Sequence, residues 1–245
     1  MKQVPNESFR HYLAAADAAS GDSVYPRSIA EGVQSGEIFT AGEAVLFRHS
    51  CGFAYLSGEP DAAFLDEIAS RFFRAAQSRR FLLITADPRI CDYFVSHAGA
   101  TAEQRIYYRA ETAPELPAVP AGFTLRRIGA ELLPRITGRI VPSFSWTAPE
   151  QFLANGFGFC VMHGETAAAC AFSAAVTSEC VDIGVETAEE FRRQGLAKIA
   201  AAAVMREAVS RGKKTVWAHH AANAGSMHTA LALGFRQTHV CCTLR

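Results

Sequence analysis

The feature that most constrains this chain is a short turn, Arg192-Arg193-Gln194-Gly195-Leu196-Ala197, set between an alternating run and a long helical one. Residues 180–186 alternate, with Val181, Ile183 and Val185 on one face and Asp182, Gly184 and Glu186 on the other. That is the two-residue period of a strand. From about residue 194 to residue 210 the apolar residues follow a helical period. A strand that enters a helix through a basic, glycine-containing turn makes an anion site. The first amides of the helix have no intrahelical acceptor, and the helix dipole adds partial positive charge there. Gly195 admits a ligand close to the backbone, and Ala197 keeps the next position small. Arg192, Arg193 and Lys198 add full charges. A phosphate ester would dock at such a turn.

The rest of the chain reads as mixed α/β. Pro114, Pro117 and Pro120 fall within seven residues, which keeps the backbone extended and removes amide donors. This predicts a linker between an N-terminal domain, 1–118, and a C-terminal domain, 119–245. In the first, a hairpin is expected around 43–56, a helix at 61–78, a strand at 81–85, a short helix at 90–97 and a strand at 105–109. In the second, the pattern predicts a strand at 123–128, helices at 130–136 and 149–154, and a hairpin of 157–163 with 167–176. The strand 180–186 and the helix 194–210 follow, then a strand at 215–219, a helix at 226–233 and a strand at 236–244. Both halves share the order hairpin, long helix, strand, short helix, strand, which suggests a degenerate duplication.

Several function classes drop out. Lys and Arg number 24 against 24 Asp and Glu, so the formal net charge is zero, without the basic imprint of a nucleic-acid binder. No stretch reaches the roughly 18 apolar residues of a membrane span. Residues 1–7 have no apolar core, so a cytoplasmic protein with its seven cysteines reduced is expected. Gly212-Lys213-Lys214-Thr215 fails as a phosphate loop, because Glu207 stands where an earlier glycine is required. Gly156-Phe157-Gly158 fails as a dinucleotide fingerprint, with Val161 in the third glycine's place. His219 and His220, adjacent on a strand, point to opposite faces and cannot easily share an ion. No metal is expected.

The order strand, Arg-x-x-Gly-x-Ala turn, long helix, strand, Asn223-x-x-Ser226, short helix, Gly234-Phe235, strand resembles the GNAT superfamily of N-acetyltransferases. The run from Ile183 through Phe235, including Trp217, is most similar to the zwittermicin-resistance type. The specific match covers about 180–235, and the element order extends it back to 123. The resemblance implies a GNAT-like mixed sheet flanked by helices in the C-terminal half, and a degenerate GNAT-like or related α/β N-terminal half. It implies acetyl-CoA as co-substrate, with the pantetheine arm between two splayed strands, at 180–186 and 215–219. The expected contacts are Val185 with the pantetheine, Arg192, Arg193, Gln194, Gly195, Leu196, Ala197 and Lys198 with the pyrophosphate, and Asn223 and Ser226 from the second motif. Ser226 is also a candidate helix cap.

The implied chemistry is direct attack of a primary amine of a small molecule on the acetyl thioester. A protonated amine is not nucleophilic, so a base is needed, and Glu186 is the candidate. Many GNAT enzymes protonate the leaving thiolate with a tyrosine at the position held here by Ala230, and no tyrosine follows Tyr108. Solvent, His219, His220 or His228 remain, with His220 ranked first. Two alternatives stay open: a catalytically silent acyl-CoA-binding module, and an N-acyltransferase using a longer acyl-CoA. The N-terminal half is expected to shape the acceptor site without binding CoA. Nothing in the sequence fixes the oligomeric state, and a homodimer is compatible with it.

Overall fold

The computed structural model describes residues 1–74 and 80–245. By its internal contacts the chain forms two compact units. One comprises residues 1–106 and 239–245, the other residues 107–238.

The first unit carries β1 (Lys2–Gln3), α1 (Leu13–Asp17), α2 (Val24–Ala30), β2 (Gly36–Ala41), β3 (Ala44–His49), β4 (Phe53–Ser57), α3 (Ala62–Ile68), β5 (Leu82–Thr85) and α4 (Pro88–Ala98). It also holds most of β6 (Ala102–Ala110) and the end of the last strand, β12 (Arg236–Leu244). β2, β3 and β4 form an antiparallel meander, β5 runs parallel to β4, and β12 lies antiparallel to β5. Phe39, Leu46, Phe64, Ile68, Leu83 and Phe94 are buried together on one side of this sheet. Burying a side chain of that size contributes about 1.5–3 kcal/mol. The carboxylate of Asp61 accepts the Phe64 amide at 2.8 Å and caps α3. Ser20 bridges the ends of β4 and β5: its amide donates to Leu56 O at 2.7 Å, and its hydroxyl meets Thr85 Oγ1 at 2.9 Å.

The second unit contains β7 (Phe123–Arg127), α5 (Pro149–Asn155), β8 (Gly158–His163), β9 (Thr166–Val176), β10 (Cys180–Thr187), α6 (Leu196–Ser210), β11 (Lys214–His220) and α7 (Ala224–Ala232). β7 through β10 are antiparallel neighbours in sequence order, and β11 runs parallel to β10. α6 lies across β8, β9 and β10. Leu196, Ile199, Val204 and Met205 are buried there, and Ala200 to Ala203 let the helix sit close. The order β8–β9–β10–α6–β11–α7 repeats β2–β3–β4–α3–β5–α4, strand directions included. The expected mixed α/β architecture, sheet with flanking helices, is what the chain forms.

Some elements differ from expectation. Residues 130–136 form only a 3-10 turn, Leu133–Arg135, because Pro134 lacks the amide a helix needs. The helix expected at 61–78 is α-helical to Ile68 and continues as a π-helical turn, Ala69–Arg74. Its remainder lies outside the described residues. α1 and α2 occupy a stretch with no readable periodicity. Cys91 of α4 and Cys242 of β12 are joined as a disulfide, with Cα atoms 6.4 Å apart, so not all seven cysteines are free thiols as expected from sequence. The fold brings together two residues 151 positions apart in the chain.

Candidate active site

The candidate site is the place where β10 and β11 part. The two strands pair from Cys180 with Lys214 through Asp182 with Val216 and no further, although β10 runs to Thr187 and β11 to His220. The parting coincides with an irregularity in the β9–β10 ladder: the register shifts between Asp182 and Ile183, and the extra residue, Ala174, lies on β9. A bulge re-aims a strand and increases its twist. The backbone edge of residues 183–186 that would face β11 is thereby left open, with backbone polar groups able to bond an extended amide-bearing ligand.

Beyond the opening the chain turns through Glu189–Phe191 into α6. Gly195 is the N-cap residue of α6 at φ 78°, and no side chain caps the helix. Arg193 has φ 64° and is the one described residue other than glycine in the left-handed region. Holding a bulky residue there costs about 1–2 kcal/mol, and such strain gathers at functional turns. The space a Cβ of Gly195 would enter is open. The glycine is therefore there for its backbone angle and leaves the helix end exposed to a ligand. Among the described residues no acceptor meets the amides of Gly195, Leu196 or Ala197. The Lys198 amide is different: it donates to Gly195 O at 3.1 Å. The Lys198 amide is thus met within the turn, whereas those of Gly195, Leu196 and Ala197 are not.

Charge follows the same division. Arg127 and Arg211 are both paired with Glu207, at 2.8 and 2.6 Å, and Arg135 with Glu165 at 2.5 Å. Arg193 and Lys198 have no acidic partner among the described residues, and Arg192 makes only a 3.4 Å contact with Thr187 O. The cations at the start of α6 thus carry charge that no acidic side chain among the described residues neutralises.

At the far end of β10, Glu186 is half-buried. Its Oε2 accepts the amides of Arg139 at 3.2 Å and Ile140 at 2.9 Å. Directly across β9 it faces Cys170, which in turn faces Cys160 on β8. Contact with Cys160 and then burial hold the Cys170 thiol well above the ordinary thiol range. A thiol in that state is no nucleophile near neutral pH.

The second motif has a different internal logic from the one expected. Asn223, not Ser226, caps α7: its Oδ1 accepts the Ser226 amide at 3.0 Å. The Ser226 hydroxyl accepts the indole N–H of Trp217 at 2.9 Å. His220 is exposed, and its Nδ1 accepts the Ala222 amide at 3.1 Å, so the neutral ring carries its proton on Nε2. His219 is buried on the other face of β11. Its Nδ1 lies 2.8 Å from His220 O and its Nε2 lies 3.3 Å from the Tyr108 hydroxyl, with the two rings stacked at 5.3 Å. Sequence reasoning missed both Tyr108 and the segment 138–140, since each meets its partner across a long separation without a local pattern. Among the described residues no group of three or more His, Cys, Asp or Glu could hold a metal ion.

The family model for GNAT acetyltransferases matches residues 21–241. The chain belongs to the GNAT acetyltransferase family. It is similar to the uncharacterized N-acetyltransferase YdfB of Bacillus subtilis, at 24% identity over 222 residues, covering 88% of this chain and 79% of that one. Among solved structures it resembles a GCN5-related N-acetyltransferase-like protein from Streptococcus suis, with a TM-score of 0.77 at 19% identity, covering 98% of this chain and 99% of the other. It also resembles a tandem GNAT protein from the clavulanic acid biosynthesis pathway, with a TM-score of 0.63 at 13% identity, covering 97% and 93%. At these identities the likeness to solved structures speaks for the fold. As a GNAT member the chain is an acyltransferase, and the family's co-substrate is acetyl-CoA. The amides of residues 195–197 and the cations around them fit a pyrophosphate ester. The position where many GNAT enzymes place a tyrosine is held by Ala230, fully buried in α7.

Proposed function

We propose that this protein is an acetyl-CoA-dependent N-acetyltransferase that modifies a primary amine of a small molecule. One contrast carries the reading. The counterpart helix of the first unit, α3, is capped by its own carboxylate, Asp61, and the ends of β4 and β5 are bridged by Ser20. In the second unit α6 has no side-chain cap and β10 and β11 are left apart. The same element order is closed in one unit and open in the other, which supports a single CoA site on the second.

In this reading the amides of Gly195, Leu196 and Ala197 hold the pyrophosphate, with Arg192, Arg193, Gln194 and Lys198 around it. The open edge of β10 at Val185 bonds the pantetheine arm. Asn223 offers Nδ2, its Oδ1 being the helix cap, while Ser226 acts from behind by fixing Trp217. Acetyl-CoA supplies an acyl group activated by a thiolate leaving group, whose thiol has an ordinary pKa of about 8.5. Glu186 takes the amine proton through Oε1, since Oε2 is occupied by two amides. His220, with its proton on Nε2, is the donor to the departing thiolate. The inert state of Cys170 favours direct attack by the amine over an acyl-cysteine route.

Buried Ala230 favours a second reading, a silent acyl-CoA-binding module. Calorimetric titration with acetyl-CoA, followed by a thiol-release screen across a panel of amines, separates the two. Binding with turnover supports the transferase. Binding without turnover on any amine supports the module, and absence of binding removes both.

A further inference from the structure

Residues 137–140 lie in a segment of little regular structure, between the 3-10 turns Leu133–Arg135 and Pro142–Phe144. Among the described residues, the hydrogen bonds that this four-residue stretch makes are the two from Arg139 and Ile140 to Glu186 Oε2. The stretch is also seated on the same side chain. Gly138 has φ 139°, and a Cβ there would lie 2.8 Å from Glu186 Cγ and 3.4 Å from Cδ. Three consecutive residues are therefore built around one carboxylate at the end of β10, two through their amides and one through the absence of a side chain.

We propose that Glu186 is a positioning residue as well as a base: it fastens segment 138–140 beside the open end of β10, where that segment walls the acceptor amine's site. The tether rests on the geometry alone. The wall rests on the transferase reading above. The two roles use different properties of the side chain. Holding two amides needs an acceptor oxygen, which a glutamine carbonyl also supplies. Taking a proton from an amine needs the carboxylate.

The test compares the full-length protein with its Glu186→Gln, Glu186→Ala and Gly138→Ala variants. Amide hydrogen exchange is read at Arg139 and Ile140, and steady-state kinetics with the best amine from the screen. In the Gln variant the two amides stay protected and the acceptor KM stays near the wild-type value, while kcat falls and its dependence on the carboxylate's ionisation disappears. In the Ala variant protection at Arg139 and Ile140 is lost and the acceptor KM rises about tenfold or more, with the KM for acetyl-CoA unchanged. Gly138→Ala behaves like Glu186→Ala in protection and in acceptor KM while retaining the carboxylate. Unchanged protection in Glu186→Ala overturns the tether. Lost protection with an unchanged acceptor KM overturns the wall. If no amine turns over in the wild type, the transferase reading and the wall fail together, and the exchange comparison still decides the tether.

Discussion

The indole Nε1 of Trp217 on β11 donates to the hydroxyl of Ser226 on α7 at 2.9 Å. Trp217 is 4% exposed, so its N–H has little access to water. The bond ties the parted end of β11 to the helix that follows it, and it gives Ser226 a structural task. Ser226→Ala leaves a buried donor without its acceptor, a loss of about 1–3 kcal/mol. Thermal unfolding should shift down by several degrees, while the calorimetric affinity for acetyl-CoA should change by less than about threefold, under 0.7 kcal/mol. A large loss of affinity with unchanged melting would instead make Ser226 a direct ligand of the co-substrate.

Gly195 should separate backbone geometry from charge. At φ 78° any other residue is strained, though Asn and Asp tolerate this region better than most. Open space beyond the Cβ position means that neither collides with the chain. Gly195→Asn and Gly195→Asp should therefore lose similar stability. The Asp variant should bind acetyl-CoA weaker than the Asn variant by about tenfold or more, equivalent to about 1.4 kcal/mol. That gap should narrow as salt is raised, because exposed charges are screened. Equal affinities of the two variants would place the pyrophosphate elsewhere.

His49, in the first unit, should make stability fall with acid. Its ring is 1% exposed, its Nδ1 accepts the Cys51 amide at 3.2 Å, and burial pushes its pKa down from 6.5 to about 3. The folded protein keeps this ring neutral while the unfolded chain protonates it below about 6.5. The contribution is intact above that pH. As the pH falls from about 6.5 toward 3 it erodes by about 1.4 kcal/mol per unit. Urea midpoints at pH 7.5, 6 and 5 should show the slope. His49→Asn keeps an acceptor for the Cys51 amide but cannot titrate, so the part of the slope due to this ring should vanish even if the variant is less stable throughout.

How much of this was legible in the sequence follows from the range of each interaction. The 192–197 turn was readable because strand alternation, the glycine and the helical period are all local. The element order survived for the same reason. The helix expected at 130–136 failed because its apolar spacing was counted without the proline that breaks it. The Glu186 tether joins residues 46 and 47 positions apart, and Tyr108 meets His219 across 111. Nothing in the local pattern of Gly138-Arg139-Ile140 points to a carboxylate on a later strand. The roles of Asn223 and Ser226 depended on which side chain faces the helix end, a rotamer question that spacing alone does not answer.

The Cys91–Cys242 pair gives a prediction that depends on no functional reading. The bond closes a loop between residues 151 positions apart, from α4 to the last strand. Constraining so long a loop removes much freedom from the unfolded chain and stabilises by about 2–5 kcal/mol. Protein purified without reductant, denatured and alkylated, should take up label at the five free cysteines and no others. After reduction all seven should react. Reduction should lower the melting temperature, and Cys91→Ser should lower it as far while making it insensitive to reductant. Cys51 and Cys241 are buried in the same unit and serve as internal controls, since neither is in a disulfide. If seven labels enter before reduction, the thiols are merely adjacent, and the C-terminal strand is then held to β5 by its ladder and side-chain packing alone.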